Sequence, residues 1–204
     1  LFGNSIRATL FPEISNASAS IDEEPISLLK QGVSYEGLIM IPGLIGGTIL
    51  SDEILRIYGA EFTQGSAVLW ILLFAVLLKG YQSEFLTALN GINRPELAFR
   101  IYAVFISSNI VLNIGLIYLY GWTGAAAATA LSTVIGLSLS YVVIKNLTQF
   151  NTPTRIIIKQ WIAALIMGSF VYSALWVDRT YQVFNSNLVL VIVLVSIAAV
   201  IYFI

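Results

Sequence analysis

Long apolar runs separated by short polar stretches dominate the sequence. A bilayer core about 30 Å thick is crossed by roughly 20 helical residues, and six runs of about that length can be drawn. They cover residues 33–50, 66–89, 97–120, 125–144, 157–176 and 188–204. Because nearly every run is apolar on all sides rather than along one stripe, the pattern predicts helices surrounded by lipid.

The polar stretches between these runs are typical of helix ends. Residues 90–95 and 121–124 are rich in Asn, Gly and Pro or Thr, so they predict short turns between antiparallel neighbours. Residues 1–10 indicate the end of an earlier span, and residues 20–32 predict an interfacial linker helix that feeds the next one. Both chain ends are interpreted as cuts in a longer protein. The expected fold is all-α: a polytopic transmembrane helix bundle of about six spans plus the end of a preceding one.

The distribution of basic residues predicts the orientation of the bundle. Cytoplasmic loops carry an excess of Lys and Arg. If the chain crosses the membrane at each run, only Arg56 and Arg179 fall on one side, and Lys79 lies inside a span. The other seven basic residues fall on the opposite side, which should be cytoplasmic: Arg7, Lys30, Arg94, Arg100, Lys145, Arg155 and Lys159.

Composition agrees with lipid as the solvent and narrows the function classes. Hydrophobic residues make up 58% of the 204, and charged residues 10%, against about 25% charged in a typical soluble domain. The sequence has no Cys and no His, so the thiol nucleophile, the usual imidazole base and the commonest transition-metal ligands are missing. We therefore expect no enzyme activity, metal or cofactor. A net charge of −1 without a basic stripe argues against nucleic-acid binding.

Charged residues inside the predicted spans are the strongest functional signal. Lys79 lies about 20 Å along its span, too deep for its side chain to reach water easily. By default, such a charge marks a substrate or ion pathway. Glu84 follows five residues later, which places it about 140° around the helix from Lys79, so the two should face different neighbours. Arg94 or Arg100 is a plausible structural partner for Glu84.

Polar residues near Lys79 extend this candidate site. Gln82 and Ser83 are expected to share its face and to line a water-filled cavity with it. Asn113 adds hydrogen-bonding capacity in the next span, although such residues more often join helices than bind ligands. Glu36 lies near a predicted span end and is expected at the membrane interface. The candidate cavity-lining, substrate-binding residues are Lys79, Gln82, Ser83, Glu84 and Asn113, with no catalytic or metal-binding residue.

Four stretches, in order, resemble the polysaccharide and lipid-linked oligosaccharide flippases of the multidrug/oligosaccharidyl-lipid/polysaccharide exporter superfamily. They are Leu-Phe-Pro-Glu-Ile-Ser at 10–15, Ile-Tyr-Gly-Ala-Glu-Phe at 57–62, Leu-Asn-Gly-Ile-Asn-Arg-Pro at 89–95, and Leu-Asn at 112–113 followed by Tyr-Gly-Trp-Thr-Gly-Ala-Ala at 120–126. The resemblance implies that residues 1–145 belong to the C-terminal lobe of a two-lobe transporter. Residues 146–204 would then add two C-terminal transmembrane helices.

The resemblance implies a flippase of the cell membrane. Its substrate would be a polyprenyl-phosphate- or polyprenyl-diphosphate-linked oligosaccharide, moved from the cytoplasmic to the outer leaflet by alternating access. Lys79 would engage the phosphate. Partners would be the bilayer and, in addition, a polysaccharide polymerase or glycosyltransferases. Two alternatives stay open: a cation-coupled multidrug exporter of the same superfamily that uses Glu84, and an integral-membrane glycosyltransferase or ligase.

Overall fold

The computed structural model describes residues 24–181, 184 and 186–203. The predicted span end at 1–10 and the first residues of the predicted linker helix lie outside the described residues. The described residues form six α-helices and one 3₁₀ helix. They are α1 (Glu24–Ile49), α2 (Ser51–Arg56), the 3₁₀ helix (Ala60–Gly65), α3 (Ser66–Gly91), α4 (Pro95–Leu147), α5 (Thr154–Tyr181) and α6 (Asn187–Phe203).

Helix α1 joins the described part of the predicted linker and the following span in one continuous helix. Its buried positions Leu29, Val33, Gly37 and Ile41 recur every four residues and form a single stripe across both parts. Leu29, in the linker part, continues the buried stripe of the span and packs in the same hydrophobic cluster as Val33. The linker and the span therefore pack as one helix. The expected separate interfacial helix is therefore, from Glu24 onward, the beginning of α1.

Helix α4 is a hairpin of two arms, residues 95–120 and 122–147. Its 53 residues are broken at Gly121, whose φ of 61° and ψ of −138° are not helical. Asn109 Nδ2 donates to Ser132 Oγ at 3.0 Å, whereas a straight helix would place residues 23 apart roughly 35 Å from each other. The arms are antiparallel, and Gly124 approaches the backbone of Leu116 so closely that a Cβ would overlap its carbonyl. This confirms the predicted turn at 121–124.

The second predicted turn, between α3 and α4, is equally compact. Asn93 adopts the left-handed region with φ of 59°, and Arg94 N donates to Leu89 O at 2.8 Å. Pro95 opens α4 at a position where its missing N–H costs no helical hydrogen bond. The structure thus has the short antiparallel connection expected at 90–95.

The helices α1, α3, α4, α5 and α6 correspond to the six predicted spans, because α4 provides two. Four described helices are long and apolar enough to cross a membrane. The fifth, α6, has 17 residues, at the lower end of the roughly 17–25 that span a bilayer. The all-α membrane bundle predicted from the sequence is confirmed.

Helix α1 lies between α3 and α5, while α3 also packs against both arms of α4. One hydrophobic cluster joins α1, α3, α5 and α6 around Ile41, Leu77 and Val171. A second joins α1, α3, α4 and Phe150 around Leu29 and Leu89. Large apolar residues remain exposed along α3, α4, α5 and α6, as expected for helices that face lipid.

The connection between α1 and α3 is a structured cap rather than an open loop. Glu53 is only 3% exposed. Its Oε1 accepts a hydrogen bond from Arg179 Nη2 of α5 at 3.1 Å, and its Oε2 lies 3.7 Å from Arg56 Nη1. Ser66 donates to Asp52, and Trp70 Nε1 donates to Ser51 Oγ at 2.8 Å. These acidic side chains are therefore used to fasten α2 onto α3 and α5.

Candidate substrate-facing site

Lys79 lies on the uncovered side of α3. Its side chain is exposed, and its Nζ lies 5.7 Å from the centroid of the Phe105 ring on the first arm of α4. Phe105 is itself only 8% exposed. Across the described ranges, none of the ion pairs involves Lys79. An aromatic face attracts a cation more weakly than an anion does, so the ammonium group keeps its capacity to bind an anionic ligand.

The side of α3 that carries Lys79 is an uncovered stripe at helical spacing, while Trp70 and Phe74 are exposed on the opposite side of the same helix. Leu72, Val76 and Lys79 are exposed, Ser83 is half-buried and Asn90 is exposed. The predicted grouping of Lys79 with Ser83 on one face is therefore seen in the structure. On this stripe a cation and a hydroxyl stand among apolar residues at membrane depth, an arrangement that fits the polar end of an amphipathic ligand.

Gln82 does not share the face of Lys79. It is only 3% exposed, and its Nε2 occupies the space that a Cβ on Gly136 would need, in the second arm of α4. The expectation that it lies beside Lys79 is wrong because the absence of a side chain at Gly136 lets α3 and α4 come together over it. In the described part of the chain its Nε2 has no hydrogen-bond partner.

Glu84 is buried, with 2% of its surface exposed. It lies on the stripe of α3 that includes Gly80 and faces α1, so Lys79 and Glu84 do have different surroundings, as their spacing indicates. The two arginines suggested as partners of Glu84 have other surroundings. Arg94 Nη1 lies 3.8 Å from Glu96 Oε1, and Arg100 is exposed.

Asn113 hydrogen-bonds to Asn109 within the first arm of α4. Its Nδ2 donates to the backbone oxygen of Asn109 at 2.8 Å and to Asn109 Oδ1 at 3.0 Å. Asn109 in turn donates to Ser132 on the second arm. Both bonds of Asn113 lie within the first arm, and only Asn109 reaches the second arm, so Asn113 supports the contact between the arms through Asn109.

A second polar group, which the sequence did not reveal, lies on the other side of α3. Glu36 is only 2% exposed, and its carboxylate fills the space beside Gly80. The expectation that Glu36 is interfacial is wrong, because α1 begins at Glu24 and carries this residue to the depth of Gly80. Tyr81 Oη and Gln160 Oε1 lie 2.7 and 2.5 Å from the position of a Cβ on Gly37.

Gln160 anchors this second group to α1. Its Nε2 donates to the backbone oxygen of Ser34 at 2.8 Å, and 7% of the residue is exposed. The clearest sequence signal for the group is a glycine next to each polar residue, Gly37 after Glu36 and Gly80 before Tyr81. Glycines let helix backbones approach closely, but the sequence does not specify which helices approach.

Comparison with known proteins gives consistent results. The family described as "Lipid II flippase MurJ" matches residues 1–200. "Probable flippase AglR" of Haloferax volcanii is 32% identical over 179 residues, which are 86% of this chain and 38% of that protein. "Probable low-salt glycan biosynthesis flippase Agl15" of the same organism is 35% identical over 141 residues, 68% of this chain and 30% of that protein.

The structure of a "Lipid II flippase MurJ, inward closed conformation" superimposes with a TM-score of 0.79 at 22% identity, covering all of this chain and 42% of that one. The likeness shows the same fold. The chain spans less than half the length of the relatives described here. Because the family match extends over almost the whole sequence, the chain belongs to the MurJ lipid II flippase family of multi-pass membrane proteins.

Proposed function

We propose that the protein containing this chain is a flippase that moves a polyprenyl-phosphate- or polyprenyl-diphosphate-linked oligosaccharide from the cytoplasmic to the outer leaflet. The observation that carries the proposal is Lys79, a cation at membrane depth on the uncovered stripe of α3, in contact with an aromatic ring. The names of the two Haloferax relatives, one a probable flippase and the other a probable glycan biosynthesis flippase, support the substrate class.

The physical reason to assign phosphate recognition to Lys79 is the cost of its position. A Lys at the centre of a span costs about 2.5–3.5 kcal/mol in membrane insertion, and a ring at 5.7 Å returns only part of that. A lipid-linked phosphate brings a charge of opposite sign on a carrier that is itself soluble in the bilayer. Lys79 then binds the phosphate group, while the apolar residues of the stripe contact the lipid.

Transport would proceed by alternating access between two lobes, of which residues 1–145 form part of one and residues 146–204 add two helices. In this arrangement no covalent bond changes, and the chain needs no cofactor. The glycosyltransferase alternative is disfavoured by the outer cap, where Glu53 is bound by Arg179 and Asp52 by Ser66, which leaves these carboxylates engaged in structure.

The test is substitution of Lys79 in the complete protein, reconstituted in vesicles with a fluorescent lipid-linked oligosaccharide. Lys79→Ala should reduce the flipping rate about 10- to 150-fold, the equivalent of losing a charged hydrogen bond of roughly 1.5–3 kcal/mol. Lys145→Ala is the matched control, because Lys145 also lies over a ring, Tyr141 at 5.8 Å, but at the end of α4. Wild-type flipping by Lys79→Ala would remove Lys79 from the mechanism.

A second candidate function, cation-coupled drug export, is supported by the burial of Glu84 inside a span. In that case Glu84→Gln should abolish ion-driven drug efflux in the same vesicles, and Lys79→Ala should leave it unchanged. The opposite pattern, with flipping lost in Lys79→Ala and no drug efflux in the wild type, supports the flippase.

A further inference from the structure

The uncovered stripe of α3 changes character at Lys79. Between the 3₁₀ helix and Lys79, its exposed residues are the apolar Leu72 and Val76. Between Lys79 and the α3–α4 turn, helical spacing brings three polar residues and one apolar residue onto the same face. They are Ser83, Leu86 and Thr87, which are half-buried, and Asn90, which is exposed. Lys79 therefore stands at the boundary between an apolar half and a polar half of one helix face.

The hydroxyls of the polar half differ from those that lie between packed helices. Ser132, Thr133 and Ser140 on the second arm of α4 are fully buried, and each donates to a backbone oxygen of its own helix, at 3.0, 2.7 and 2.8 Å. Within the described residues, the side chains of Ser83 and Thr87 make no hydrogen bond. A hydroxyl offers one donor and two acceptor positions, so both residues keep this capacity for a ligand.

An exposed aromatic ring accompanies the polar half. Tyr102 is 47% exposed, and its ring centroid lies 5.8 Å from that of Phe105, the ring beneath Lys79. Because the compact turn at 90–95 makes the first arm of α4 antiparallel to α3, Tyr102 is one turn nearer to that turn than Phe105 is. Tyr102 therefore lies toward the polar half of the stripe.

The order of groups along the stripe is also the order of groups in a lipid-linked glycan. A lipid in the cytoplasmic leaflet directs its chain to the bilayer centre and its head group to the cytoplasm, and Arg94 and Arg100 predict that the α3–α4 turn is cytoplasmic. With the phosphate at Lys79, the lipid chain lies along the apolar half. The sugar next to the phosphate then lies beside the polar half.

We propose that Ser83, Thr87 and Tyr102 form a subsite for the sugar that is attached to the phosphate. The inference rests on the proposed function, because it takes the position of the phosphate from Lys79. The two hydroxyls hydrogen-bond to hydroxyl groups of the sugar. The Tyr102 ring packs against the C–H face of the sugar, which the negative face of an aromatic ring attracts. The subsite selects a carrier lipid that bears a sugar over the same lipid without one.

The test is binding of two ligands by the complete protein in lipid nanodiscs: a polyprenyl-diphosphate-linked oligosaccharide, and the same polyprenyl diphosphate without sugar. Ser83→Ala and Thr87→Val should each weaken binding of the first ligand about 2- to 10-fold, the range of one neutral hydrogen bond, and leave binding of the second unchanged. Thr87→Ser, which keeps the hydroxyl, should bind both ligands as the wild type does.

The matched control for the hydroxyls is Ser107→Ala, at an exposed serine of α4, which should change the affinity for neither ligand. The subsite is overturned if Ser83→Ala and Thr87→Val weaken both ligands by the same factor, or weaken neither.

The aromatic part of the subsite is tested with the same two ligands. Tyr102→Leu should weaken binding of the glycosylated ligand about 2- to 10-fold, and Tyr102→Phe, which keeps the ring, should not. Tyr118→Leu is the control, because Tyr118 is a more exposed tyrosine, at 89%, near the opposite end of the same arm. Equal behaviour of Tyr102→Leu and Tyr118→Leu would remove the ring from the subsite.

Lys79→Ala separates this inference from the proposed function. It should weaken both ligands by the same factor, since both carry the diphosphate. If Lys79→Ala weakens both but the hydroxyl variants do not discriminate between the ligands, the sugar subsite is wrong and the phosphate role of Lys79 is supported. If Lys79→Ala weakens neither while the hydroxyl variants do discriminate, the phosphate role is wrong and the sugar subsite is supported.

Discussion

Two sides of α3 hold ionisable groups at the same depth in opposite ways. On the uncovered side, Lys79 is exposed and is contacted by the ring of Phe105 at 5.7 Å. On the side that faces α1, the Glu36 carboxylate is enclosed against Gly80. The difference teaches that burial separates two kinds of ionisable group: an exposed cation that has no ion-pair partner among the described residues, and a carboxyl that is enclosed between helices.

The largest expected effect is on the enclosed side. Gly80→Ala places a methyl group where the Glu36 carboxylate lies, so the free energy of unfolding should fall by about 2–3 kcal/mol through overpacking. The measurement is unfolding of the complete protein in denaturing detergent micelles. Gly43→Ala is the control, since its Cβ meets nothing within 4 Å and should gain up to ~1 kcal/mol. Equal stability of the two variants would contradict the enclosure.

On the uncovered side, an apolar substitution should have the opposite sign. Lys79→Leu removes a charge that is costly in lipid, so the apparent free energy of inserting the α3 span into the bilayer should become more favourable by about 2 kcal/mol, measured in a translocon insertion assay. If Lys79 binds the phosphate group as proposed, flipping should fall at the same time. The comparison of the two sides breaks down if Lys79→Leu destabilises the protein as Gly80→Ala does.

The smallest effect concerns how Lys79 is held. Phe105→Leu removes the aromatic face, and flipping should slow by about 2- to 5-fold, since such a contact contributes roughly 0.5–1 kcal/mol. Phe105→Tyr, which keeps a ring, should restore the rate. Phe99→Leu on the same helix, at a residue 73% exposed, serves as the control. If Phe105→Leu and Phe99→Leu behave alike, the ring does not position Lys79.

The sequence predicted the features that depend on local chemistry. The turn at 90–95 follows from Asn93, Arg94 and Pro95, and the turn at 121–124 from its glycines. Lys79 was identified because a cation in an apolar run is unusual in any packing arrangement. These signals need no knowledge of which helices are neighbours.

Features that depend on helix pairing were not predictable in the same way. Glu36 was placed at the interface because the helix was expected to start later. Helical spacing alone predicts that Gln82 lies beside Lys79. The tight contact with Gly136, which buries Gln82, is visible only in three dimensions. Gln160 has no unusual neighbour in sequence and becomes significant only where α5 meets Ser34 of α1.

The hairpin of α4 has a consequence for how the protein is made. Asn109 Nδ2 donates to Ser132 Oγ across the two arms at 3.0 Å. The helical backbone between the arms is interrupted at a single residue, Gly121. A single arm would enter the bilayer with its amide unsatisfied, which raises the cost of insertion. Paired arms satisfy each other, so the hairpin is suited to leave the translocation machinery as one unit during synthesis, before the helices on either side are in place.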